Sequence, residues 1–173
     1  MRVILIGFMG VGKTSVGKKL AKKLNFDFID TDYEIEILAN KTIPDIFEQD
    51  GEKHFRKLES TILEKFIKKE DVVISTGGGI ITTKENYNIL KNEENVIFLD
   101  ASVETIISHL QNERNKRPSL KESETLNKKR EELLSTRYEK YRKVSDILID
   151  RNGKNIDEVI SQILVYIGWF MIL

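Results

Sequence analysis

GFMGVGKT, residues Gly7 to Thr14, decides how the rest of this chain is read. It fits the pattern G-x-x-x-x-G-K-[ST] at every fixed position. Its flanks fit as well. The apolar run RVILI (2–6) reads as a buried strand, and GKTSVGKKLAKKL (12–24) has helical spacing. A strand, a glycine loop and a helix in that order cradle phosphate. The glycines let backbone N–H groups turn inward, and the helix N-terminus adds its dipole. In such a loop Lys13 bridges the β- and γ-phosphates, and the Thr14 hydroxyl ligates Mg²⁺. The plainer reading, a glycine turn opening an ordinary helix, gives way because pattern and context agree.

Outward from the loop, strand and helix alternate. FDFID (26–30), VVIS (72–75), VIFLD (96–100) and DILID (146–150) are further short apolar runs. EKHFRKLESTILEKFIKK (52–69) puts Phe55, Leu58, Ile62, Leu63, Phe66 and Ile67 on one helical face. Thr82 with Glu85 forms a capping box for TTKENYNIL, and Ser102 caps VETIISHL. Thr42 caps a short helix with Pro44 in its first turn. The expectation is one domain over 1–173, a three-layer α/β/α sandwich with a five-stranded parallel sheet. Such sheets bind ligands beyond the carboxyl ends of their strands. Tyr33 to Lys69 is a helical excursion without a strand. Glu113 to Glu124 is polar and poorly periodic, a solvated loop or a mobile lid. A long helix follows it to about Arg142.

Composition narrows the class. The 173 residues are 40% hydrophobic and 32% charged, which suits a soluble globular domain. Basic and acidic residues balance at 28 each, so no nucleic-acid partner is expected. The absence of cysteine excludes disulfides, thiolate metal sites and a cysteine nucleophile, and it fits a cytoplasmic location. At the C-terminus, VISQILVYIGWFMIL (159–173) is shorter than the roughly 20 residues of a membrane span. It reads as a docked helix over 159–167 with a frayed or packed tail at 168–173. A membrane-surface or oligomer contact is the alternative; no membrane partner and a monomer are expected.

Six of the ten glycines lie in two clusters, the loop 7–14 and Gly77 to Gly79. The second cluster ends VVIS without the metal-organising acid that many phosphate-loop proteins place there. Its free N–H groups are expected to donate to a ligand. The acid must come from elsewhere, and FIDTD (28–32) supplies Asp30 and Asp32. Helix capping accounts for at most one of them. Asp27 reads as a surface partner.

Taken with DTD (30–32), IFEQDGEKHFRKLE (46–59), STGGG (75–79), RPSL (117–120) and the late arginine of RYEKYRK (137–143), the loop makes this chain resemble shikimate kinase from Met1 to about Ile167. The resemblance implies a nucleoside-monophosphate-kinase-like P-loop kinase. It would move the γ-phosphate of ATP, with Mg²⁺, to the shikimate 3-hydroxyl, on the route to chorismate and aromatic amino acids. It implies that Gly10, Val11, Gly12, Lys13, Thr14, Ser15 and Arg117 hold ATP. Asp32, Arg56, Gly77, Gly78, Gly79 and Arg137 would hold shikimate, within an excursion spanning 33–60. Lys13, Asp32 and Arg117 would act in catalysis, Arg117 from a lid at 113–124. Thr14 would meet the metal directly and Asp30 through water.

Arginine usage agrees. Eight arginines among 28 basic residues should mark places where a planar fork or permanent charge matters. Glu59 is expected to steady Arg56, with Arg114 a decoy and His54 exposed. Tyr138, Glu139 and Lys140 depart from the family's proline and leucine after the late arginine. His109 stands nearest the position where many members stack an arginine on adenine. Gluconate and nucleotide kinases share the loop. Two arginines, an aspartate and a glycine bed suit instead a small acceptor with one carboxylate and several hydroxyls. A silent ATP-binding domain would lack Lys13, Asp32 or Arg117, and all three are present.

Overall fold

Successive residues of β1 (Arg2–Ile6) face two different cores, as the two-residue period of a strand requires. Ile4 and Ile6 join one apolar cluster, and Val3 and Leu5 the other. In the computed structural model, residues 1–106, 108 and 135–168 are described. β1 is the centre of a five-stranded sheet with β2 (Asp27–Asp30), β3 (Val72–Ser75), β4 (Val96–Asp100) and β5 (Ile147–Asp150). The order is β2-β3-β1-β4-β5 and every pairing is parallel. Strand order reverses on either side of β1, so a crevice opens beyond its carboxyl end.

Helices cover both faces. On one lie α1 (Lys13–Leu24), the turn α6 (103–106) and α8 (Ile156–Tyr166), packed through Val16, Leu20, Ile106, Val159 and Ile163. On the other lie α2 (Thr31–Ala39), α3 (Ile43–Gln49), α4 (Gly51–Phe66), α5 (Lys84–Lys91) and α7 (135–144). These pack through Ile35, Ile46, Phe55, Ile62, Leu63, Leu90, Tyr141 and Val144. Each large apolar side chain buried this way contributes about 1.5–3 kcal/mol. The three-layer sandwich and five parallel strands expected from the run pattern are therefore observed. Strands β2 and β5 begin one residue later than their apolar runs.

One cap is corrected. Thr83, not Thr82, caps α5, its hydroxyl accepting from the Asn86 N–H at 3.4 Å. Thr82 belongs to the 3₁₀ turn Ile80–Thr82, and its hydroxyl donates to the Gly79 carbonyl at 2.7 Å. That turn, required to leave the glycine cluster, delays the helix by one residue. The caps at Thr42 and Ser102 are present. α7 is regular through Tyr138 and Lys140, so the departure at that run leaves the helix intact. Helix α8 carries a capping box from Asn155 and Glu158 and buries Val159, Ile160 and Ile163, as a docked helix should. Residues 169–173 lie outside the described ones. Among the described residues no helix is long and apolar enough to cross a membrane.

Candidate active site

The loop 7–14 leaves β1 at the switch point and enters α1 through Gly12, whose φ of 90° is left-handed. No side chain caps this helix. The N–H groups of its first turn, from Lys13, Thr14 and Ser15, are therefore open to a ligand, and their dipoles favour an anion. Lys13 is buried, its Nζ donating to the Gly7 carbonyl at 2.7 Å and the Phe8 carbonyl at 2.9 Å. Burial pulls its pKa down to about 8, against the opposing pull of Asp32 and Asp30.

The two aspartates at the end of β2 differ in surroundings. Asp30 is the N-cap of α2: Oδ1 accepts from the N–H groups of Asp32 (3.1 Å) and Tyr33 (3.5 Å). Its Oδ2 accepts from the Thr14 hydroxyl at 2.7 Å. Capping thus explains one acid, and that acid is Asp30 rather than Asp32. Asp32 projects from the first turn of α2 with Oδ1 buried and without a hydrogen-bond partner among the described residues. Burial, then the charge of Asp30, raise its pKa, while Lys13 draws it back. Asp27 pairs with Lys69 at 2.7 Å on the surface.

The glycine turn after β3 faces this pair. A Cβ on Gly77 would stand 2.5 Å from Asp32 Oδ1 and 3.0 Å from Glu59 Oε1. A Cβ on Gly78 would stand 2.9 Å from the Met9 nitrogen, and one on Gly79 would clash with the Arg56 guanidinium. The three glycines thus make room for the protein's own site residues. The N–H of Gly77 is not free, because it donates to the Thr31 hydroxyl at 3.0 Å. The parallel pairing of β2 with β3 sets these neighbours side by side and so corrects that expectation.

Helix α4 supplies Arg56 and Glu59. Arg56 Nη1 donates to Glu59 Oε2 at 2.9 Å, and Nη2 to Glu52 Oε1 at 3.2 Å. Glu59 has a side chain 1% exposed, and its Oε1 has no partner among the described residues. Burial outweighs the Arg56 pairing and pushes its pKa up to about 7. Helix α7 supplies Arg137, whose Nη1 donates to the Gly78 carbonyl at 3.1 Å. The Tyr141 hydroxyl donates to the same oxygen. Burial drives that phenol well above its usual range, and its ring stacks on Phe98 at 5.0 Å. A cleft of about 170 Å³ lies between the loop, Asp30, Asp32, Ser75, Thr76 and Gly78.

Lys13, Thr14, Asp30, Asp32, Arg56, the three glycines and Arg137 are thus gathered at one end of the sheet. His54 is exposed on α4. Arg114, Arg117, Pro118, His109 and the lid segment lie outside the described residues. Sequence reading missed Tyr141, although its spacing of four from Arg137 puts both on one face. It also missed Glu52 and Arg151. The latter is one of the few arginines in a lysine-rich chain and donates to the Val11 carbonyl at 2.7 Å.

Thr14 and Asp30 present hard oxygens side by side next to the open helix end. This donor set suits Mg²⁺, which keeps most of its waters and needs few protein ligands. Among the described residues no group of three or more His, Cys, Asp or Glu could hold a metal ion.

The family model described as shikimate kinase matches residues 9–167. A shikimate kinase of Persephonella marina is 40% identical over 162 residues, covering 94% of this chain and 96% of its own. The solved shikimate kinase from Acinetobacter baumannii, in complex with shikimate, superposes with a TM-score of 0.87 at 35% identity. That match covers 99% of this chain and 95% of the other. A gluconokinase from Sinorhizobium meliloti, at 15% identity and a TM-score of 0.55, covers 96% of this chain and 91% of its own and shares the fold alone.

Proposed function

This chain belongs to the shikimate kinase family and phosphorylates shikimate with ATP, in aromatic amino acid biosynthesis; on that premise we propose how its residues divide the work. The observation that carries the division is the meeting of Asp32, Glu59 and Arg56 at Gly77 to Gly79, across the cleft from the phosphate loop.

On the donor side, the N–H groups after Gly12 take the phosphate oxygens, and Lys13 turns from the Gly7 and Phe8 carbonyls to the β- and γ-phosphates. Mg²⁺ would be held by Thr14 directly and by Asp30 through water, and it would neutralise charge on the phosphates. Asp30 keeps one oxygen on its helix cap, so its other oxygen is fixed toward the metal side.

On the acceptor side, Arg56 and Arg137 grip the shikimate carboxylate with planar donors. Asp32 takes a hydroxyl. Its carboxylate, which lines the cleft, accepts that hydrogen bond and, as phosphorus–oxygen bonding develops, the proton. Its raised pKa makes it a better proton acceptor than an exposed aspartate. Arg117, assigned by motif alone, closes from the lid and meets the charge in transfer. The 33–60 excursion serves the acceptor within one kinase domain. A cytoplasmic monomer completes the reading.

The test is ADP release with Mg·ATP against shikimate, gluconate, quinate and nucleoside monophosphates. Shikimate should stimulate release. Stimulation by gluconate or a nucleotide with none by shikimate would overturn the reading. For the clamp, Arg56→Ala and Arg137→Ala should each weaken shikimate about tenfold to a hundredfold, the worth of one charge-assisted hydrogen bond. An amide analogue that binds as tightly as shikimate would show that no clamp exists.

A further inference from the structure

Arg151 directly follows β5 and is 7% exposed. Its N–H donates to the Asp100 carbonyl at 2.8 Å, which extends the β4–β5 pairing. Its side chain crosses to the phosphate loop. Nη1 donates to the Val11 carbonyl at 2.7 Å and lies so close to Gly12 that a Cβ there would collide with it. Nε is buried and has no hydrogen-bond partner among the described residues.

Among the described residues no carboxylate answers this charge. Burial lowers the pKa of Arg151, and no acidic neighbour offsets it. The two nearest aspartates in sequence and pairing are otherwise engaged. Asp100 Oδ1 accepts from the Ala101 N–H at 2.9 Å, and Asp150 Oδ1 from the Asn152 N–H at 2.8 Å. A buried guanidinium with an unused donor and no counter-charge is destabilising unless something anionic shares its surroundings. It sits against the uncapped N-terminus of α1, where a nucleotide's phosphates would be received.

We propose that Arg151 is a donor-side phosphate-binding residue: a fixed cation beside Val11 and Gly12 whose charge is matched by the polyphosphate of a nucleoside triphosphate. The inference rests on the kinase reading above and adds to it a residue from the far end of the chain. The hydrogen bond to Val11 holds the guanidinium in place, and its charge acts on the phosphates through the loop. Because the interaction is with phosphate, it should affect nucleotides and spare both adenosine and shikimate.

The experiment is calorimetric titration of wild type, Arg151→Gln and Arg151→Lys with Mg·ADP, adenosine and shikimate. Glutamine keeps a donor for Val11 but removes the charge; lysine keeps the charge but loses the fork. Arg151→Gln should weaken Mg·ADP about tenfold to a hundredfold, the scale of one charge-assisted hydrogen bond. Arg151→Lys should stay within about threefold of wild type, since the charge remains. Affinities for adenosine and shikimate should not change. Wild-type affinity for Mg·ADP in Arg151→Gln would reduce Arg151 to a brace and overturn the proposal. Equal losses in both variants would mean that shape, not charge, matters, and would also overturn it. So would a parallel loss of all three ligands. If Arg151→Gln fails to fold, Arg151→Lys decides: a tenfold or larger loss of Mg·ADP refutes a charge role, and near-wild-type binding supports it. Failure of wild type itself to bind Mg·ADP would strike the kinase reading instead.

Discussion

The two sides of the cleft are built differently. The proposed donor side is chiefly a short stretch of chain, Gly7 to Ser15, that offers backbone N–H groups and one lysine, with Arg151 behind it. The acceptor side is assembled from α2, α4, the turn after β3, and α7, and it offers carboxylates and guanidiniums. A backbone site is set by local dihedral angles, so it is stiff and needs little support. A side-chain site has to be held by packing, and here that packing leaves Asp32 Oδ1 and Glu59 Oε1 without partners. Among the described residues the acceptor side thus leaves two buried carboxylate oxygens unpartnered, and the donor side leaves Arg151 Nε.

The largest effect should come from splitting the two aspartates that border these regions. Asp32→Asn should still bind shikimate while turnover falls about 10²- to 10⁴-fold, the usual range for a lost general base. Asp30→Asn should act on the metal side instead. Asparagine caps a helix as well as aspartate does, so α2 should stay intact. The defect should appear in Mg²⁺ dependence and be partly relieved by more metal. Turnover titrations against Mg²⁺ and against shikimate separate the two, and identical patterns would erase the distinction.

Next in size is stability against pH, where the two sides should have opposite slopes. Glu59 is raised from 4.5 to about 7 on folding, so its protonated form is the one favoured in the fold. Its contribution is fully present below about 4.5 and is lost as pH rises through about 7. The shift corresponds to something on the order of 3 kcal/mol. Lys13 is lowered from 10.5 to about 8, so stability should rise with pH between about 8 and 10.5. Asp32, also raised, adds to the acceptor-side slope. Denaturant melts at fixed pH intervals should show Glu59→Gln flattening the lower window and Lys13→Met the upper one. A Glu59→Gln curve parallel to wild type from pH 4.5 to 7 would contradict the burial argument.

A steric probe sharpens the contrast further. Gly79→Ala would push a methyl group into the Arg56 guanidinium. Shikimate affinity should drop about tenfold or more, as if one charge-assisted hydrogen bond were lost. Mg·ADP affinity should stay at the wild-type value. Equal losses for both ligands would show that the glycine turn supports the whole cleft and not the acceptor side. The smallest effect is a control outside both regions. Thr83→Ala should cost about 1 kcal/mol of stability through its cap, leaving both affinities unchanged.

Much of this is legible in the sequence. The loop 7–14, the alternation of short apolar runs with amphipathic helices, and the caps at Thr42 and Ser102 all rest on residues a few positions apart. The acceptor residues came from the family resemblance, which named Asp32, Arg56 and Arg137 without saying what surrounds them. The cap at Thr83 escaped because the local capping-box pattern, Thr82 with Glu85, pointed one residue too early, and a 3₁₀ turn takes up Thr82.

By itself the sequence determined the sheet, its covering helices and the phosphate loop, because dihedral preference and hydrophobic period act over neighbouring residues. Tertiary structure alone decided which aspartate caps α2, that Thr31 occupies the Gly77 N–H, and that Glu59 keeps one oxygen unpaired. It also decided that Arg151 reaches the loop. Burial and charge depend on neighbours in space. Val11 and Arg151 stand 140 positions apart, and Gly78 and Arg137 stand 59 apart, so only the folded chain brings them within hydrogen-bonding distance.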